Sequence, residues 1–302
     1  MTLLQFVLDG VTVGGVYALI ALGFHLIIQS TGVLDFAHGE KVTLGSLLVL
    51  ALTGGTFQGS AISGISSGIE LSMSVAAPLA IGAGFGLGIL YERLVIAPTI
   101  RASGIVPIMA TLGASLFLLH GRGIVWGQHG LPFPPPVEGT FAIGPARVPY
   151  QALLILAAAF AVLGGLHVFL RRARWGKAMI AAATDPMAAA LVGIDTGRTR
   201  MLAFGLSFAL AVLAGILIAP ITLAGGTIGS TLGLKGFAGA VIGGLASPYG
   251  VVAGALLVGV LEHLISGLTS YGYRDPIVSV LLISCLLVRP SGLFADERQV
   301  VR

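Results

Sequence analysis

The stretch "DFAHGEKV", residues 35–42, places Asp35, His38, Glu40 and Lys41 between two strongly apolar runs. Side chains of these types bind metals, move protons, cap helices or line polar paths. A metal site would draw on His38 and Glu40 with Asp35. Residues two apart diverge on a helix, however, and no second histidine stands at i+4. A hydrolase would need a nucleophile beside a base or an H-E-x-x-H pattern, and neither is present. Two readings stay open. Asp35 can cap the start of a following helix, whose free amides lipid cannot satisfy. Alternatively, ionisable groups inside an apolar span face the protein interior or a wet cavity and mark a pathway. Asp35, His38, Gly39 and Glu40 are therefore candidates to line or gate a translocation path, with Gly39 permitting close backbone approach.

A second polar pair, Glu262 and His263 in "VGVLEHLISG", stands near the end of an apolar run and reads first as interfacial. Glu262 is also a path candidate, as a partner for Lys41 or His38 across a bundle. Asp9 and His25 are expected near the two ends of the first apolar run, and Trp126 and Trp175 as interfacial anchors. The single cysteine, Cys285, cannot form an intrachain disulfide and reads as a packing residue.

The longest charged connection, residues 171–200, holds six of the sixteen Lys and Arg residues. Within it "TDPMAAALVGI" has a helix start, with Thr184 or Asp185 as cap and Pro186 in the first turn. Ala188, Ala189 and Ala190 favour a short helix with a small-residue face, ended by Gly193. A first short helix, "GKAMIAAAT", begins at Gly176. Such a pair is suited to seat in a groove on a soluble partner; the alternative is an ordinary basic loop with some helix.

The elements that must carry these groups are set by composition. The 302 residues are 56% hydrophobic and only 9% charged, too few charges to build a water-facing surface. The chain reads as a single integral membrane domain, 1–302, with the 171–200 loop within it. The net charge of +4 is scattered between apolar runs, which argues for a topological cause and against nucleic acid. Spans of about 20 apolar residues are expected near 5–29, 38–54, 71–92, 104–126, 149–170, 201–225, 233–268 and 276–290. The first reads as a retained span, since "MTLLQFVLDG" lacks a basic region and a cleavage site. The region 233–268 is too long for one crossing and carries a break signal in "GGLASPYGVVAG". The fold class is thus all-α, a polytopic helical bundle of about eight to nine membrane segments, some broken or re-entrant. Residues 53–68 read as a Gly/Ser-rich loop and 130–139 as an extended Pro-rich one. Glycines four apart, as in Gly82/Gly86, Gly84/Gly88, Gly10/Gly14, Gly239/Gly243 and Gly250/Gly254, allow close helix packing.

Placing 171–200 in the cytoplasm puts eleven basic residues inside, including Arg93, Arg101, Arg289, Arg298 and Arg302. Four, Arg122, Arg147, Lys235 and Arg274, fall outside, and Lys41 is assigned to neither side. This obeys the positive-inside rule with the N-terminus out and the C-terminus in.

The segments "GVTVGGVYALIALGFHLI", "LDFAHGEKVTLGS", "RWGKAMIAAATDPMAAALVGID", "GLKGFAGAVIGGLASPYGVVAGALLVGVLE" and "LLVRPSGLF" occur in one order over nearly the whole chain. In these the chain resembles the permease subunits of branched-chain amino acid ABC importers, the high-affinity leucine/isoleucine/valine type. The resemblance implies an inner-membrane permease paired with a second related permease, cytoplasmic ATPase subunits and an extracytoplasmic solute-binding protein. It also implies that 176–193 is the ATPase-coupling loop, similar to the pattern E-A-A-x-x-x-G. Ala188, Ala189 and Gly193 match, whereas Met187 stands at the acidic position, which argues against a specific salt bridge there but not against docking. Gly176, Asp185 and Pro186 belong to the same loop. Lys235 is similar to a family position and is expected at the outer mouth. Relatives of this type also serve urea, amides and aromatic acids. A self-sufficient secondary transporter is the competing class, with a membrane scaffold or enzyme a distant third. No G-x-x-x-x-G-K-[ST] loop is present, so ATP and Mg would sit on partner subunits and this chain would bind no cofactor.

Overall fold

The structure is a computed structural model that describes residues 3–55, 69–100, 102, 104–268, 272 and 274–294. Most of the Gly/Ser-rich stretch and Arg101, Arg298 and Arg302 lie outside the described residues. The helices are α1 (Leu3–Thr31), α2 (His38–Leu52), α3 (Met73–Tyr91), α4 (Ile105–Trp126), α5 (Tyr150–Arg172) and α6 (Arg174–Thr184). They continue as α7 (Pro186–Leu191), α8 (Thr196–Thr222), α9 (Ile228–Gly243), α10 (Pro248–Leu268) and α11 (Arg274–Val288). α3 runs on through a π turn at Glu92–Ile96.

The bundle is helical as expected, because a helix satisfies its backbone internally where water is absent. Four short strands depart from an all-α fold. β1 (Gly130–Leu131), β2 (Thr140–Ile143), β3 (Ala146–Pro149) and β4 (Ala224–Gly225) form two antiparallel pairs, β1 with β4 and β2 with β3. They lie in the connections, where the prolines and glycines interrupt helix.

Among the described residues six helices are long and apolar enough to cross a membrane: α1, α3 with its π turn, α4, α5, α8 and α10. α2 and α11 have 15 residues each and α9 has 16. At 1.5 Å per residue they extend about 22–24 Å, short of a hydrocarbon core of about 30 Å. The expected 38–54 span is therefore a helix too short to cross by itself. The 233–268 region divides into a short α9 and a full α10. Gly244, at φ 98°, ends α9 by turning its amide back to the Ala240 and Val241 carbonyls, and Pro248 opens α10.

α1 and α8 form the buried centre. Each is followed by an extended break and a short helix, α2 or α9. α1 packs most extensively on α10, and α8 on α3, so the two halves repeat one order of elements. Glycines set these contacts. A Cβ on Gly10 would lie 2.7 Å from Val260 Cα, and one on Gly14 3.0 Å from Leu256 Cα. In "GAGFGLG" only one of the two rows is used: Gly84 and Gly88 meet α8, while nothing lies within 4 Å of a Cβ on Gly82 or Gly86.

Candidate functional site

Two buried ionic clusters are built on the middle of α1, one at the start of α2 and the other between α9 and α10. After Gly32 (φ 67°) ends α1, the chain folds back so that α2 begins beside α1's centre. His38 Nε2 donates to the Ile20 carbonyl at 3.1 Å, and Nδ1 lies 3.4 Å from the Ser207 hydroxyl on α8. Ser207 donates to the Gly23 carbonyl at 3.0 Å. A side chain on Gly39 would collide with the Gly229 carbonyl at the start of α9, so Gly39 serves the close approach its type suggested.

Asp35 is fully buried and ion-paired with the equally buried Lys41. Its Oδ1 also accepts the Tyr91 hydroxyl at 2.8 Å and the Ala37 amide at 3.0 Å. Lys41 Nζ stands 3.8 Å from the Tyr91 ring centroid, within cation–π range. The cap reading of Asp35 is corrected: the N-cap position is Ala37, which has no side-chain cap bond. Asp35 is held by Lys41 and Tyr91, so it reaches only the one amide that precedes the helix. Glu40 pairs with Arg122 of α4 at 3.2 Å, both nearly buried. Arg122 is thus not an outer-loop cation but the bond that fastens α4 to the start of α2.

In the second cluster, Glu262 accepts the Tyr17 hydroxyl at 2.8 Å and pairs with Lys235 at 2.8 Å. Lys235 also reaches Asp275 of α11 at 2.7 Å. Glu262 and His263 are buried, which overturns the interfacial reading: this face of α10 packs on α1 and α9. Glu262 pairs with Lys235, not with Lys41 or His38. Lys235 itself is largely buried rather than exposed at a mouth. Tyr17 and Ile20 are three residues apart, about 4.5 Å along a helix, so the Tyr17 and His38 contacts lie near one another on α1. The structure thus brings Asp35, His38, Gly39 and Glu40 together and puts Glu262 in the neighbouring cluster. Among the described residues no group of three or more His, Cys, Asp or Glu is placed to hold a metal.

The third feature is the α6–α7 unit. Gly176 lets α6 turn tightly off α5, since a Cβ there would meet the Phe169 carbonyl and lie 2.6 Å from Leu170 Cα. Asp185 caps α7 through Met187 and Ala188 amides, both at 2.9 Å, and Pro186 occupies its first turn. Gly193, at φ 85°, ends the turn. Ala189 is buried, Ala188 and Ala190 face outward, and Met187, Leu191 and Val192 form an apolar crest 79%, 84% and 77% exposed. Behind it, Arg200 in the second turn of α8 pairs with Glu92 in the π turn at 2.5 Å.

Sequence reasoning did not anticipate the roles of Tyr17, Tyr91, Arg122, Ser207 or the Glu92–Arg200 pair. Their one signal was charge or a hydroxyl inside an apolar run. No local pattern joins Glu40 to a residue 82 positions away.

Residues 6–288 match the family described as "Branched-chain amino acid transport system / permease component". The chain is 30% identical over 297 residues to the high-affinity branched-chain amino acid transport system permease protein LivH of Escherichia coli (strain K12), covering 96% of this chain and 94% of that protein. It is 32% identical over 299 residues to the corresponding permease protein BraD of Pseudomonas aeruginosa, with 96% and 95% covered. The ribose import permease protein RbsC of Escherichia coli (strain K12) is 28% identical over 294 residues, covering 90% and 82%. No solved structure matches.

Proposed function

The chain belongs to the family of permease components of branched-chain amino acid transport systems, and from that membership we propose that it is the transmembrane subunit of an ATP-driven importer of branched-chain or other hydrophobic amino acids. It supplies half of the translocation path, and a second, related permease supplies the other half. Cytoplasmic ATPase subunits, which carry ATP and its Mg²⁺, drive the cycle, and an extracytoplasmic solute-binding protein delivers substrate. The N-terminus lies outside and the C-terminus in the cytoplasm. The whole chain acts as one membrane unit, with 171–200 as its coupling loop.

The observation that carries this reading is the α6–α7 unit. A capped short helix presents an exposed apolar crest beside basic residues, a shape that fits a groove on a soluble partner. Gly176, Asp185, Pro186, Ala188, Ala189 and Gly193 hold that shape. On the same reading, Asp35, His38, Gly39, Glu40 and Glu262 gate the path. They are sealed and paired in this conformation. Opening must therefore move α2 or α9 as units, as broken helices do in transporters.

Reconstitution in vesicles with the partner permease, ATPases and loaded binding protein tests the assignment. ATP-dependent leucine uptake is expected. Uptake by this chain alone without ATP would make it a secondary transporter, and uptake of urea, an amide or an aromatic acid in place of leucine would change the substrate.

A further inference from the structure

At the α6–α7 end of the bundle lies a cavity of about 540 Å³, within the range of small-molecule sites. It is lined by the last turn of α1, by α6, by the start of α8 and by the α9–α10 turn. Its chemistry is divided. Arg200 lines it with Nε on Glu92, while its Nη nitrogens hydrogen-bond to none of the described residues. The Glu92 carboxylate offsets that charge, so the cavity as a whole is neutral. Opposite, the carbonyls of Gln29, Ser30 and Thr31 end α1 and receive no hydrogen bond from the described residues. They carry the negative end of the helix dipole. Ile28, Met179 and Leu245 supply apolar wall between the two poles.

We propose that this cavity is a second amino-acid site, where a zwitterionic amino acid with an aliphatic side chain binds from the cytoplasmic side and restrains the coupling helices. The inference rests on the importer reading above. The ligand carboxylate meets the open edge of Arg200, its ammonium meets the α1 carbonyls, and its side chain packs on Ile28, Met179 and Leu245. A singly charged amine or acid satisfies only one pole. Because the walls come from the coupling unit, from the ends of α1 and α8 and from the α9–α10 turn, an occupied cavity ties them in the arrangement seen here. A ligand that binds one conformation alone depletes the other by a factor of 1 + [L]/Kd. At ten times its Kd the product therefore slows the ATP-driven cycle about tenfold, so accumulated amino acid limits its own import.

The test uses the complete importer in vesicles oriented with α6–α7 inside, preloaded with leucine or left empty. Preloading at ten times the Kd should lower initial uptake about tenfold, whereas isoamylamine or isovalerate should leave it within twofold. The Kd comes from radiolabelled leucine binding to the complex without binding protein. Ala246→Phe fills the cavity from the α9–α10 turn, outside the coupling unit, and uptake into loaded vesicles should then return to within twofold of empty ones. Ile100→Trp does the same from the segment after the π turn if the first variant fails to assemble. Normal uptake that ignores preloading would overturn this inference and leave the importer reading standing, while absence of ATP-driven uptake would fail the importer reading itself. Filled variants that are slow even in empty vesicles would show an exit passage and also overturn it.

Discussion

Replacing Lys235 by Met tests whether the second cluster has the energetics its geometry implies. Glu262 is fully buried, and it loses a 2.8 Å ion pair while keeping the Tyr17 hydroxyl. Removing one partner of a buried pair costs about 3–5 kcal/mol, because the remaining charge loses its opposite charge in a medium that solvates it poorly. Asp275, the other partner of Lys235, is 69% exposed, so water replaces the lost contact and Asp275→Asn costs less than about 1 kcal/mol. Lys235→Met combined with Glu262→Gln removes both charges and keeps shape and the Tyr17 bond, so the double variant recovers most of the loss. The coupling between the two sites is then about 2–4 kcal/mol. Thermal unfolding of the purified chain in detergent reads this directly. Lys235→Met should lower the apparent Tm by roughly 5–10 °C, and Asp275→Asn by no more than about 2 °C. If the double variant falls as far as Lys235→Met alone, Glu262 does not depend on Lys235 and the reasoning is wrong.

Other perturbations follow from the same geometry. Gly88→Ala places a methyl against the Phe204 carbonyl and 2.7 Å from Gly205 Cα, and should cost about 2–3 kcal/mol. Gly86→Ala meets nothing and should be neutral or slightly stabilising through helix propensity; equal melting temperatures for the two would refute the α3–α8 packing. His38→Ala and Glu40→Ala, in variants that still assemble, should reduce uptake at least tenfold if the α2 start is a gate. Unchanged uptake would leave these residues a structural role only. Asp185→Lys removes two cap bonds worth about 1 kcal/mol and should separate ATP hydrolysis from transport, seen as a falling ratio of substrate moved to ATP consumed. A ratio equal to wild type would count against α6–α7 as the coupling unit.

Much of this protein follows from its order of residues alone. A chain with 9% charge and repeated 20-residue apolar runs must be a membrane helix bundle, since lipid admits only helices and closed barrels and runs of that length fit helices rather than barrel strands. The Asp185 cap, Pro186 and the Gly193 stop are local events, complete within one turn of chain, so α7 was legible with its ends. Which of two interleaved glycine rows touches a neighbour was not legible, because both rows have the same spacing and only packing chooses Gly84 and Gly88 over Gly82 and Gly86. The same holds for the charges. Asp35, Glu40 and Glu262 were visible as costly groups that need partners, but a burial penalty does not say who compensates it. Lys41, Arg122, Lys235 and the two tyrosines are brought to them by contacts between elements up to 245 positions apart, and that choice belongs to the tertiary structure.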